Sequence, residues 1–188
     1  MSHNSSNLIS TFQKEIESLK GEVHLASGPE EIANIILGVA ANTNCKLAII
    51  ESSIGSSNEI QSVLIKHGIE TASLADSAST LELLSRADMG ITHADLAISQ
   101  TGTVIIKTTR DEDRLVSCLP RVHIVIISTD KLVDRLTDAT VYLKNNLQTH
   151  EPCAISFVSG PSRTSDIEMK QILGVHGPHQ VHVILYGL

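Results

Sequence analysis

The chain has 188 residues, 41% hydrophobic and 19% charged, with a mean hydropathy of +0.11, which suits one globular domain with a sizeable core and excludes extensive disorder. Without Trp and with 2% aromatics, the core must be aliphatic, as in parallel sheets buried under helices. The net charge of -7, with no Lys/Arg run, argues against nucleic-acid binding, and no apolar run approaches the ~20 residues of a membrane span.

The polar start, Met1 to Leu8, has neither the basic nor the apolar region of a signal peptide, so a cytoplasmic protein is expected. Ser10–Lys20 reads as a short amphipathic helix, with Phe12, Ile16 and Leu19 at helical spacing. It is taken as an N-terminal arm (residues 1–20) ahead of one α/β domain (residues 21–188). Glu22–Ala26 reads as a strand, and Ser27-Gly-Pro-Glu-Glu31 as a helix start carried on by Ile32, Ile35, Ile36 and Val39. Lys46–Ile50 is a strand apolar on both faces, Asn58–Lys66 a helix stopped at Gly68, Ile69–Ser73 a strand and Ser77–Arg86 a helix. This rhythm predicts a Rossmann-like, mixed but mainly parallel sheet flanked by helices. The rhythm then changes. Met89–Thr92, Leu96–Ser99 and Thr103–Thr108 are separated by so few residues that an antiparallel ribbon is predicted. Val122–Ser128 is a strong strand, Lys131–Asn145 mostly helix, and Ala154–Ser159 and Val181–Tyr186 are strands.

The densest run of special residues is Ser159-Gly-Pro-Ser-Arg-Thr-Ser-Asp-Ile-Glu168, followed by Gly174-Val-His-Gly-Pro178. Ser165 and Glu168 have capping-box spacing, so strand, glycine loop and helix start would aim backbone N–H groups at an anion. Arg163 adds a forked cation suited to carboxylate or phosphate. The competing reading is an ordinary strand-to-helix turn. Thr92, Asp95, Thr101, Gly102 and Thr103 form a second stretch, which is either a β-turn with Gly102 at positive φ or a set of ligand-holding hydroxyls. His93 and Asp95 are either an acid/base pair or groups that close the turn. Cys118 and His123 lack a motif that would activate the thiol, so a structural cysteine and a core histidine are expected. His176 is the preferred proton-shuttling candidate. His176, His179 and His182 lack a matching carboxylate motif, so no metal site is expected. Cys45, Cys118 and Cys153 have no cluster spacing, so no cofactor is expected in this chain.

The strings from Gly90 to Thr103, Leu119-Pro-Arg-Val-His-Ile124, Ser159 to Glu168 and Gly174 to Pro178 together resemble the LUD domain of the lactate-utilization protein C (LutC/YkgG) family. That resemblance implies a fold of the NagB/RpiA/CoA-transferase type. It also implies a role in oxidising L-lactate to pyruvate beside iron–sulfur partner proteins (LutA-like and LutB-like) that carry the clusters. The chain is then a subunit or accessory protein binding a small anion, not expected to oxidise lactate alone. Carried onto this sequence, the candidate ligand-binding positions are Thr92, Thr101, Gly102, Thr103, Ser159, Gly160, Ser162, Arg163, Thr164, Asp166, Glu168, His176 and Gly177, with His176 and Asp95 as catalytic candidates. Between Thr92 and Ala94 the family often has a small residue or glycine; His93 departs from that pattern. The alternative is a stand-alone enzyme or sensor of the same superfamily acting on a CoA, folate-like or sugar-phosphate ligand. There Glu51, at the end of the Lys46–Ile50 strand, is the nearest candidate nucleophile, without the glycine-flanked setting.

Overall fold

Leu47–Ile50 are buried in succession, as they must be in a strand covered on both faces. They form β2 of the computed structural model, which describes residues 3–51, 53–54, 57–74, 80–146, 153–164, 172–173 and 177–187. The chain runs α1 (His3–Ser18), β1 (Glu22–Ala26), α2 (Pro29–Thr43), β2, α3 (Ser57–Lys66), β3 (Glu70–Ser73), α4 (Thr80–Arg86) and β4 (Met89–His93). It continues through β5 (Leu96–Ile98), β6 (Thr103–Thr108), α5 (Asp111–Val116), β7 (Val122–Ser128), β8 (Leu132–Val133) and α6 (Leu136–Asn146). The last elements are β9 (Ala154–Val158), β10 (Arg163–Thr164), β11 (Ile172–Leu173) and β12 (Gln180–Tyr186).

The main sheet is β1-β12-β7-β4-β2-β3, parallel at every junction. Period-two alternation divides its residues between two cores. Val122, Ile124 and Ile126 of β7 pack with Ile32, Ile36 and Val39 of α2, while Val125 and Ile127 pack with Phe12 and Ile16 of α1. The second layer is a smaller sheet, β8-β5-β6-β9, in which β6 runs antiparallel to β5 and β9. Its outer face packs on α6 through Leu96, Ile98, Ile105 and Ala139.

The mainly parallel α/β architecture expected from the sequence is present, and several local expectations are corrected. Met89–Thr92 is not part of an antiparallel ribbon. β4 lies between β2 and β7 in the main sheet, because its residues are buried on both faces; only β5 and β6 form the ribbon. Lys131–Asn145 is mostly helix as expected, with α6 beginning at Leu136 after Leu132–Val133 pair with β5. β9 joins the smaller sheet, where it pairs with β6. The first helix starts before Ser10; it docks on the body, one of the two places its amphipathic spacing suggested, with Phe12 and Ile16 fully buried.

Close approach of α1 explains two glycines of the motif set. Gly102 has φ +57, and a Cβ there would meet the backbone of Glu15 and Ile16. Gly160 has φ +83, and its Cβ would lie 2.8 Å from the Leu19 carbonyl oxygen. Gly102→Ala is therefore expected to destabilise the fold by roughly 2–3 kcal/mol, through left-handed strain and overpacking together. Urea denaturation checks this, and an unchanged midpoint would mean that α1 does not press on Gly102.

Candidate functional site

In open parallel sheets a crevice forms outside the carboxyl ends of the strands, where connections leave two neighbouring strands in opposite directions. Here β2 and β4 are such neighbours. After β2 the chain moves outward to β3, and after β4 it moves toward β7 on the other side. A cavity of about 580 Å³ lies at these carboxyl ends, with His93, Asp95, Ser128, Lys131 and Tyr186 on its polar side and Ile32, Ile54 and Ile126 on its apolar side. Glu51 follows β2 directly and His93 ends β4, so the sheet brings an acid and a base together from 42 residues apart.

Glu51 is 3% exposed. Its Oε2 accepts from the His93 backbone N–H at 3.0 Å and from His93 Nδ1 at 3.1 Å, and its Oε1 accepts from the Ser53 hydroxyl at 2.9 Å. Burial pushes the carboxyl upward, but the hydrogen bonds and charge of His93, with help from Ser53, outweigh it and hold Glu51 below its ordinary 4.5. The hydrogen bond to Glu51 raises His93 above its ordinary 6.5, against the opposing effect of burial. Nδ1 is committed to Glu51 and Ser53, and among the described residues Nε2 has no hydrogen-bond partner. Lys131, whose Nζ lies 5.9 Å from the Tyr142 ring centroid, brings an ammonium group to the same cavity.

Asp95 also lines this cavity, and its hydrogen bonds close the turn. Its N–H donates to the Ile105 carbonyl at 2.9 Å, and its Oδ2 accepts from the Lys107 N–H at 2.8 Å. Thr92 lies inside the molecule, fully buried, with Oγ1 2.9 Å from His123 Nε2. His123 is the core histidine that its apolar strand suggested; complete burial pushes it down to about 4, so it stays neutral. Replacing Thr92 by Val leaves Nε2 without that partner and is expected to cost about 1–3 kcal/mol of stability, measured by urea unfolding.

The other motif residues gather at the opposite end of the main sheet. Pro178 precedes β12 while Tyr186 ends it, and a seven-residue strand separates its two ends by about 20 Å. Thr103 Oγ1 is 2.7 Å from Thr101 Oγ1 and 2.8 Å from Ser159 Oγ, forming one hydroxyl chain. The Ser162 N–H donates to the Pro178 carbonyl at 2.9 Å, and Gly177 lies against the Ser162 side chain. Arg163 is exposed on β10, and Thr164 pairs with Ile172. Ser165, Asp166, Glu168 and His176 lie outside the described residues. Among the described residues, therefore, Asp95 stands at the cavity, Thr92 inside the sheet, and Thr101, Gly102, Thr103, Ser159, Gly160, Ser162, Arg163 and Gly177 toward the amino ends.

The pairing of Glu51 with His93 was missed from the sequence. A usable signal existed: each polar residue stands at the carboxyl end of a strand buried on both faces, where α/β sites form. Linkage tests the pair. Glu51, lowered in the fold, contributes stability above 4.5 and loses it as pH falls through its folded value. His93, raised in the fold, contributes below 6.5 and loses it as pH rises through its folded value. The stability gap between the native chain and His93→Gln is thus expected to be widest between pH 4.5 and 6.5 and to narrow on both sides, as read by urea unfolding across pH.

Comparison with known proteins places this chain in a family. The LUD domain matches residues 9–186. Lactate utilization protein C of Exiguobacterium sp. is 42% identical over 106 residues, covering 55% of this chain and 46% of that protein. The Shouchella clausii protein of the same name is 40% identical over 104 residues, covering 55% and 45%. Lactate utilization protein C 1 of Bacillus mycoides is 38% identical over 114 residues, covering 60% and 49%. The chain spans about half the length of the curated relatives it matches. A solved duf162 family protein from Deinococcus radiodurans shares the fold, with a TM-score of 0.71 over 97% of this chain and 98% of that one, at 22% identity. With the family match running from α1 to the end of β12, this chain belongs to the LUD domain family.

Proposed function

We propose that this chain is an accessory component of an L-lactate utilization system that binds a small anionic ligand in the cleft at the carboxyl ends of β2 and β4. The observation that carries the reading is that His93, held against buried Glu51, and Lys131 both line that cleft, with Asp95 as a carboxylate among them. The names of the curated relatives supply the metabolic setting. A carboxylate such as lactate or pyruvate, or a phosphorylated ligand, would accept from His93 Nε2–H and lie against Lys131, while the apolar side would hold its carbon skeleton. Oxidation of L-lactate to pyruvate releases two electrons and two protons. In this proposal iron–sulfur partners, LutA-like and LutB-like, take the electrons, and the chain by itself does not oxidise lactate.

The Ser159–Thr164 segment with exposed Arg163 is retained as a proposed anion-holding loop at the other end of the sheet. If lactate oxidation by the assembled system is unaffected by Arg163→Ala, that loop only shapes a turn. A second reading is favoured by the position of Glu51, a buried carboxylate at the end of a parallel strand: a stand-alone enzyme or sensor for a CoA, folate-like or sugar-phosphate ligand.

Titration calorimetry with L-lactate, pyruvate and sugar phosphates tests ligand binding, and purification of the chain from its lactate-grown host tests the partnership. Lys131→Met and His93→Gln are expected to weaken the bound anion about tenfold or more, the loss of one charge-assisted hydrogen bond or ion contact. Because His93→Gln also strips a buried carboxylate of its partner, Lys131→Met is the cleaner variant. Recovery of the chain without iron–sulfur proteins, together with binding of sugar phosphates or CoA but not lactate, would reverse the order of the two readings.

A further inference from the structure

Away from the cleft, β1 and β12 bring together a group of side chains that the reading above does not use. The two strands pair in parallel with Glu22 opposite His182. Strand periodicity puts Glu22 and His24 on one face of β1, and the register puts His182 on that same face, toward α2. The His24 and His182 rings stack with centroids 5.4 Å apart. His24 Nε2 is 3.1 Å from His182 Nδ1, and His182 Nδ1 is 3.5 Å from Glu22 Oε2.

The protonation pattern follows from the fourth neighbour. His182 Nε2 lies 3.2 Å from Gln180 Oε1, and an amide oxygen only accepts. A neutral His182 that donates there carries its proton on Nε2 and turns the Nδ1 lone pair toward Glu22 and His24. That lone pair accepts from a proton on His24 Nε2 with the Glu22 carboxylate close by, and a metal ion between the three groups would take that proton's place. We propose that Glu22, His24 and His182 bind one divalent transition-metal ion of the zinc class.

The spacing suits such an ion. Ligand atoms about 2.0–2.1 Å from a tetrahedral centre lie roughly 3.3–3.4 Å from one another. The two short separations here bracket that value, and all three ligand atoms fall within 4.8 Å of each other. Two imidazoles and one carboxylate are a borderline donor set that zinc, cobalt and nickel share. Gln180 plays the outer part, fixing the tautomer and ring angle of His182 through its other nitrogen. His182 is buried and rigidly placed, whereas Glu22 is exposed, so the ion can enter from solvent. A cavity of about 420 Å³ beside Gly38 and Asn42 leaves room for water or a small ligand in the fourth position.

The test uses the full chain without a polyhistidine tag, titrated with Zn(II) by calorimetry and with Co(II) by visible absorption, whose intensity reports four-coordinate geometry. One equivalent is expected to bind, with the cobalt spectrum of a four-coordinate site. Glu22→Gln and His24→Asn, on the edge strand, are each expected to weaken binding by more than tenfold, and Gln180→Met by about tenfold. His182→Asn should abolish binding; should that variant fail to fold, Glu22→Gln and His24→Asn decide. Failure to bind one equivalent, or binding that survives both edge-strand variants, overturns the proposal. Either result leaves the cleft reading standing, since no cleft residue takes part.

Discussion

Strand β7 is buried on both faces, and the rest of the molecule is organised around covering it. One face of the sheet around it lies under α2, through Ile32, Ile36 and Val39. The other face receives α1 and the smaller sheet, through Phe12, Ile16, Val104 and Ile106. A parallel sheet leaves no face for water, and a chain almost without aromatics must fill both sides with branched aliphatic residues. The departure of the chain from β4 into β5 and β6 serves this need, because it builds a second layer where a crossover helix would otherwise stand. Gly90 shows how tight the arrangement is: a Cβ there would collide with the Val116 carbonyl oxygen on α5.

The same topology creates the cleft. Strands that end side by side, with connections diverging, leave a gap at their carboxyl ends, and the side chains just past the strands face one another across it. Glu51 is too deeply buried to remain ionised without partners, and His93 with Ser53 supplies three hydrogen bonds. The result is a histidine biased toward its charged form at the wall of a cavity.

Two ends of one sheet thus carry different chemistry. The carboxyl ends hold the charged pair beside a partly apolar cavity, and the amino ends hold the hydroxyl chain of Thr101, Thr103 and Ser159 together with the glycines that admit α1. Of the motif strings that carry the family resemblance, a large part therefore serves close packing at the amino ends. Gly102 and Gly160 are required by backbone contact with Glu15, Ile16 and Leu19, whatever else their neighbours bind.

Local physics made much of this legible in the amino-acid order. Unbroken apolar runs marked β2 and β7 as strands buried on both faces, helical spacing marked α1, α2 and α3, and Gly102 announced its positive φ. The β4 segment was misassigned to a ribbon because short spacing between apolar pieces says nothing about which sheet each piece enters. The two clusters of titratable groups were hidden for the same reason. Glu51 and His93 lie 42 residues apart, and His24 and His182 lie 158 apart. Sequence by itself determined the elements, their faces and the turn glycines, since these depend on neighbours within a few residues. Only the tertiary structure decided which strand lies beside which, and so which charges meet, because pairing follows from burying two faces of one sheet and is a property of the whole chain.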